Sequence, residues 1–296
     1  MDSRKILFVL NPASGPKDKD YKEEIEAYFS QFPEISVAYH TPNWSANASI
    51  ELQKEIKQNH YDTVVASGGD GTVRFVAEIL YGSSTHMGIL PTGSANGLAK
   101  NLELDKGIFH ALETIKENQT HRVSSLTVNG AFCIHLADIG LNASIVRRFE
   151  KQKRRGFLGY LKAFVSVSFN QTASKAVIYI DNEEYQMKFY MLVFCNATGY
   201  GTGLAINPNG KLDDNQFELV QVEKFSLMEA LRLYLGKDKP SPEIVRIMPC
   251  RNLIVKTKKP VHLQVDGEYQ GKTKTIKVLF NDKFIKMIVP KSFIQN

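Results

Sequence analysis

An α/β domain followed by an all-β domain is the fold class predicted by three features of the sequence. Short apolar runs alternate with helix-period segments over the first 120 residues. Near residue 122 that alternation gives way to successive extended segments, and three glycine-bearing turns fall where strands of the first half end. At 296 residues the chain exceeds the ~100–150 residues of a common single domain, so two domains are expected.

Taken in order, Lys5 to Leu10 is a short buried-strand run, and Tyr21 to Phe32 carries Ile25, Tyr28, Phe29 and Phe32 at helical spacing. Ile35 to His40 is extended again. Ser45 to Gln58 reads as a helix capped by Ser45 or Asn47, Asp62 to Ser67 as a strand, Val73 to Tyr81 as a helix and Met87 to Leu90 as a strand. This βαβα rhythm belongs to a parallel sheet covered by helices, where ligands bind beyond the carboxyl ends of the strands. Beyond residue 122, Arg122 to Val128 and Ala131 to Ala137 flank Asn129-Gly130, a two-residue hairpin signal. Further strands are expected at Lys175–Ile180 and Glu184–Cys195 around Asp181-Asn182, then at Phe217–Val222, Asn252–Lys256, Val261–Val265, Lys274–Phe280 and Phe284–Val289. Helical interruptions are expected at Asn142–Glu150, Phe157–Phe169 and Leu227–Leu235. The change of period sets the domains at 1–122 and 123–296, the second mostly antiparallel.

Composition narrows the class. Hydrophobic residues make up 43% and charged residues 23%, which excludes disordered and fibrous chains. A net charge of +6 selects no ligand by itself. Cys133, Cys195 and Cys250 are too few and scattered for a disulfide framework or zinc site, and read as free thiols in a reducing compartment. The start MDSRKILFVLNP reads as a first strand and not a leader, and no run approaches the ~18 apolar residues of a spanning helix. A cytoplasmic protein, at most peripheral to a membrane, is expected. The seven histidines show no metal-ligand spacing, and the aromatics, Trp44 included, form no stacking platform with a basic groove, so no nucleic-acid partner is expected.

Chemistry concentrates in the turns. Asn11-Pro12-Ala13-Ser14-Gly15 follows the first strand, Gly68-Gly69-Asp70-Gly71-Thr72 the third, and Pro91-Thr92-Gly93-Ser94-Ala95-Asn96 the fourth. Glycine there permits close backbone approach, and amides at the following helix start offer donors to phosphate. Asp70 beside such amides repels phosphate unless a cation intervenes or the acid orients backbone by hydrogen bonding, and a magnesium-nucleotide is the ligand these turns suggest. Neither a Walker A loop nor the dinucleotide glycine pattern is present.

The ordered set NPASG, GGDGT, LPTGSAN and, at Val265 to Glu268, VDGE resembles the diacylglycerol kinase catalytic family, lipid kinases that include sphingosine and ceramide kinases and soluble bacterial enzymes. GGDG alone is shared with NAD kinases and phosphofructokinases. The resemblance implies a three-layer α/β nucleotide domain of NAD kinase/phosphofructokinase type and a C-terminal β-sandwich, with the active site in a cleft. It further implies ATP against Asn11, Pro12, Ala13, Ser14 and Gly15, against Thr41, against Gly68, Gly69, Asp70, Gly71 and Thr72 onward toward Phe75, and against Ser94 and Asn96. Glu268 is then the general base, with Asp266 beside it. Magnesium is held by the Asp214 side chain and the carbonyls of Lys211 and Gln216 in the segment Lys211-Leu212-Asp213-Asp214-Asn215-Gln216.

Four positions depart from the family pattern. Arg74-Phe75 stands for Asn-Glu, Gly97 for an aspartate, and Asn215 for a glycine, a change tolerated because Asn adopts the left-handed conformation. The expected activity is transfer of the γ-phosphoryl group of ATP to a hydroxyl of diacylglycerol or a related lipid. The alternatives are a NAD kinase-like enzyme and a non-catalytic nucleotide- or lipid-binding relative. A lipid substrate at a membrane surface is the expected partner, with homodimerisation left open. The run Arg147 to Arg155, six basic residues in nine, offers an anionic bilayer roughly 1 kcal/mol per basic residue near its surface, or is simply a solvated helix end.

Overall fold

The computed structural model describes residues 3–15, 19, 21–140, 143–144, 173–200, 205–224, 232 and 240–295. Two compact units emerge, Met1–Val123 with Lys283–Asn296, and Ser124–Asp282. The basic run at 147–155, the expected helix Phe157–Phe169, and nearly all of Asn142–Glu150 and Leu227–Leu235 lie outside the described residues.

The first unit is built on a six-stranded sheet, into which a last strand, β16 (Ile285–Ile288), is inserted to give the order β2-β1-β3-β4-β16-β5. Its parallel core is β1 (Arg4–Leu10), β2 (Ile35–His40), β3 (Thr63–Gly68) and β4 (His86–Pro91). Between them run α1 (Tyr21–Phe29), α2 (Ala48–Asn59) and α3 (Asp70–Leu80); α4 (Gly97–Asn101), α5 (Ile108–Glu117) and β5 (Thr120–Val123) follow. Alternation along the strands divides the apolar residues between two helical layers. Ile6, Phe8, Val65 and Leu90 pack with Ile25, Tyr28 and Phe29 of α1 and with Ala111, Leu112 and Ile115 of α5. Helices α2 and α3 bury Leu52, Ile56, Val73, Val76 and Leu80 outside that cluster, completing three layers. Helix α2 begins at Ala48, and its cap residue Asn47 makes no side-chain capping bond.

The second unit is a β-sandwich. Its strands are β6 (Leu126–Val128), β7 (Ala131–Cys133), β8 (Leu136–Gly140), β9 (Ser174–Ile180), β10 (Glu183–Phe189), β11 (Met191–Cys195), β12 (Phe217–Val222), β13 (Val245–Cys250), β14 (Asn252–Val265) and β15 (Glu268–Phe280). The 14-residue β14 lets the sheet fold on itself. Its first half pairs with β9, its second half with β8, and β15 runs along most of its length. Ile139, Ile178, Phe189, Phe194, Phe217, Val255 and Val278 fill the interior. Among the described residues, three two-residue turns have positive φ at both central positions: Asn129-Gly130, Asp181-Asn182 and Asp266-Gly267, the geometry that suits the twist of hairpin strands. The first residue of each turn also ties its hairpin to another segment. Asn129 Nδ2 donates to the Thr275 carbonyl at 3.1 Å, and the Asp181 carboxylate accepts the Asn252 N–H at 2.8 Å.

Several expectations change. The second domain does not run to residue 296: after Asp282 the chain returns to the first unit, where β16 (Ile285–Ile288) pairs parallel with β4 and antiparallel with β5, and α6 (Lys291–Gln295) follows. The expected Arg122 to Val128 strand breaks at the buried Ser124-Ser125 into β5 and β6, which belong to different sheets. Ala131 to Ala137 breaks into β7 and β8, and Glu184–Cys195 breaks at Tyr190 into β10 and β11. The separate strands at 252–256 and 261–265 are one strand, carried across Lys258-Lys259-Pro260 by register shifts against β15.

Candidate active site

In the first unit the parallel register brings the turns after β1, β3 and β4 to one sheet edge. The ladder extends into them: Asn11 N–H donates to the Ser67 carbonyl at 3.0 Å, and Thr92 N–H to the Gly68 carbonyl at 3.2 Å. Side chains then lock the turns together. Asn11 Nδ2 donates to Thr72 Oγ1 at 3.0 Å, Asn11 Oδ1 accepts the Ala13 N–H at 3.1 Å, and the Ser14 and Thr92 hydroxyls share a hydrogen bond of 3.1 Å. Asn96, in the left-handed conformation, donates Nδ2 to the Gly93 carbonyl at 2.8 Å. A Cβ on Gly93 would collide with Gly69 Cα and with Asn96 Oδ1, so these turns approach this closely because Gly93 carries no side chain.

Asp70 resolves the choice left open by its sequence position. Its Oδ1 accepts the N–H of Gly97 at 2.7 Å and of Leu98 at 3.4 Å. The acid therefore orients backbone, holding the start of α4 beside these turns. Gly97, which stands where the family pattern has an aspartate, supplies the shorter of these bonds. Gly68 and Thr72 are buried, whereas Pro12, Ala13, Gly15, Thr41, Gly71 and Ser94 are exposed along the same carboxyl edge. Sequence reasoning passed over Thr92, which is 5% exposed; its signal was a hydroxyl neighbouring glycine in a turn already singled out.

In the second unit Asp266 and Gly267 form the turn between β14 and β15, and Gly267 N–H donates to Gln264 Oε1 at 2.7 Å. Glu268, the first residue of β15, is exposed, but Asp266 is buried. The Asp266 carboxylate accepts the N–H groups of Ile134, His135 and Leu136 at 3.0, 3.0 and 3.1 Å and the Cys133 thiol at 3.3 Å. Burial pushes this carboxyl above its ordinary range, against the pull of those donors. Asp266, expected beside the general base Glu268, is buried and fixes the turn that carries Glu268.

The segment carrying Asp214 has its own polar environment. Asn215 adopts φ +60, as its tolerance of that region anticipates. Gln216 Nε2 donates to Asp214 Oδ2 at 3.1 Å, while Asp214 Oδ1 is buried with no hydrogen-bond partner among the described residues. Nearby, Asn207 Nδ2 donates to Glu218 Oε2 at 2.7 Å, and the fully buried Asn207 also leaves its Oδ1 without a partner among the described residues. Burial raises the Glu218 carboxyl; the Asn207 amide lowers it and the charge of Asp214 adds to the rise. An orphaned carboxylate oxygen beside a second acid fits a hard divalent cation. Among the described residues no three His, Cys, Asp or Glu side chains are grouped for a metal, but the set expected here has one carboxylate and two carbonyls. Glu218 and Asn207 carried no recognisable spacing and were missed.

All three cysteines are free and buried, and burial pushes the Cys195 thiol far up. No helix of the described residues is long and apolar enough to cross a membrane.

Residues 5–128 match the model of the diacylglycerol kinase catalytic domain, and residues 136–289 that of the YegS C-terminal NAD kinase beta sandwich-like domain. A diacylglycerol kinase of Staphylococcus saprophyticus is 28% identical over 239 residues, 76% of each chain. One from Staphylococcus haemolyticus is 26% identical over 284 residues, covering 89% of this chain and 82% of that one. In fold, a crystal structure of a diacylglycerol kinase from Bacillus anthracis superposes with a TM-score of 0.72 at 18% identity, over 99% of both chains. An ATP complex of the NAD kinase from Archaeoglobus fulgidus does so at 0.56 and 12% identity, over 99% of this chain and 95% of that one. Together the two domain models span nearly the whole chain in the order of its own two units, and the chain belongs to the diacylglycerol kinase catalytic family.

Proposed function

We propose that this protein is an ATP-dependent lipid kinase that phosphorylates a hydroxyl of diacylglycerol or a related lipid met at a membrane surface. The observation that carries this reading is the set of interlocked turns after β1, β3 and β4, a backbone-lined edge with the N-terminus of α3 directed at it. Such an edge suits phosphate because N–H donors and the positive helix end act together. The diacylglycerol kinase relatives and the ATP held by a NAD kinase of like fold support it.

Phosphoryl transfer asks the protein mainly for positioning and charge stabilisation. The turns at 11–15, 68–72 and 91–96 hold the triphosphate, and Asp70 keeps the start of α4 in place beside it. Glu268 accepts the proton of the lipid hydroxyl as that oxygen bonds to the γ-phosphorus, and the bond to the β-phosphate oxygen breaks to release ADP. Asp266, by fixing the Ile134 to Leu136 backbone, keeps the turn before Glu268 rigid. Magnesium, held by Asp214 with the carbonyls of Lys211 and Gln216, supplies structural charge neutralisation when bound.

The test is ADP release and phospholipid formation from ATP, magnesium and dispersed diacylglycerol. Glu268→Gln is expected to abolish transfer and to leave ATP binding nearly intact; loss of ATP binding would remove Glu268 from the role of base. Turnover of NAD in place of lipid identifies the NAD kinase-like alternative, and lipid binding without ADP release the non-catalytic one.

A further inference from the structure

We infer that Trp44, braced by Phe75, is the platform on which the nucleotide base stacks. The inference rests on the reading of ATP as phosphoryl donor. Trp44 lies in the stretch after β2, the edge strand of the parallel sheet, two strands from β3, whose turn opens the phosphate edge. Two strand spacings are about 10 Å, a span comparable to the reach from triphosphate to base. Phe75 stands on α3, five residues beyond Asp70, which puts it about 7.5 Å along the helix from its start.

The pair is held, yet it is not buried. The two rings meet edge to face with centroids 5.3 Å apart, and Trp44 remains 47% exposed. Its backbone is in the left-handed region at φ +55, uncommon for a bulky side chain. Local bonds hold that turn without help from the indole. Ser45 N–H donates to Asn43 Oδ1 at 2.9 Å, Asn43 Nδ2 to Glu51 Oε2 at 3.2 Å, and Ala48 N–H to the Ser45 carbonyl at 3.1 Å. The turn thus presents a rigid, half-open aromatic face that its own folding does not require. Base–aromatic stacking needs only such a face and tolerates any base. The competing occupant is a bilayer, since Ile50, 64% exposed, follows on α2.

Trp44 is the single tryptophan of the chain, so its fluorescence reports the site directly. Titration with ATP is expected to change the emission saturably. Inorganic tripolyphosphate is expected to compete with ATP but leave the emission unchanged, having no base to stack. Trp44→Ala should weaken ATP binding about tenfold and leave tripolyphosphate binding as it was, with Trp44→Phe restoring most of the ATP affinity. Phe75→Ala should weaken ATP binding in the same selective way and mobilise the indole, seen as lower anisotropy. ATP binding by calorimetry with no change at Trp44, an equal response to tripolyphosphate, or a blue shift with anionic vesicles alone would overturn the platform. Failure of ATP and tripolyphosphate alike to bind would instead overturn the donor reading, and the platform with it.

Discussion

Asp70 and Asp266 each sit beside a glycine in a tight turn, and each directs its carboxylate at N–H groups of a segment far away in sequence. At Asp70 the donors are the first amides of α4, groups that no intrahelical bond can satisfy. Removing the acceptor with Asp70→Ala is expected to destabilise the first unit by about 1 kcal/mol and to weaken nucleotide binding as α4 loosens. Asp70→Asn keeps an acceptor oxygen and should recover most of the stability in urea melts; equal loss in both variants would mean that the charge, and not the cap, matters. Glu218 makes a prediction of opposite character. Its carboxyl is raised above the ordinary value of 4.5 by burial and by Asp214. The stability it contributes is therefore complete below that value and declines as pH rises through the raised one. As pH rises above the ordinary carboxylate range, the native protein should lose melting temperature relative to Glu218→Gln. Magnesium should narrow that gap by offsetting the two acids, and Asp214→Asn should abolish the magnesium effect. A gap that does not move with pH would show that burial does not raise the Glu218 carboxyl.

At the scale of elements, the turns after β3 and β4 meet at Gly69 and Gly93, with no side chain between their Cα atoms. Gly93→Ala forces a methyl against Gly69 Cα, and such overpacking costs about 1–3 kcal/mol. Because the turns must separate to admit it, ATP affinity by calorimetry is expected to fall more than the melting temperature suggests, and Glu78→Ala on the exposed side of α3 serves as control. Much of this arrangement was legible in advance. The strands β1 to β4 and helices α1 to α3 follow from period alone, and the glycines marked where they turn. What escaped was non-local. Helix α4 spans five residues and starts on the carboxylate of Asp70, 27 positions upstream. Pro249 disguised β13, since proline within a run argues against a ladder strand. The donors around Asp266 lie 130 to 133 residues before it, so its burial could not be read from Asp-Gly-Glu, which alone describes a solvated turn.

The whole molecule depends on where its last strand goes, and period cannot say that: it announces a strand near residue 285 without naming its sheet. The chain leaves the first unit after Val123 and returns after Asp282, so 159 residues of the second unit form an insertion in the first. The returning β16 fills the place between β4 and β5. It pairs Met287 with Met87 on one side and Ile285 with Val123 on the other. Ile285, Met287, Ile288 and Val289 are all at most 1% exposed, and burying such side chains is worth roughly 1.5–3 kcal/mol each. Their combined contribution rivals the ~5–15 kcal/mol net stability of an ordinary domain. A chain ending at Asp282 is accordingly expected to leave the first unit unfolded and without ATP binding. Coexpressing residues 283–296 as a separate peptide should restore partial protection from proteolysis. Polar substitution at one buried position, Met287→Lys, should reproduce the loss without shortening the chain. A truncated chain that retained cooperative melting of both units would show that β4 and β5 can close the sheet by themselves, and that the return strand only covers an edge already stable.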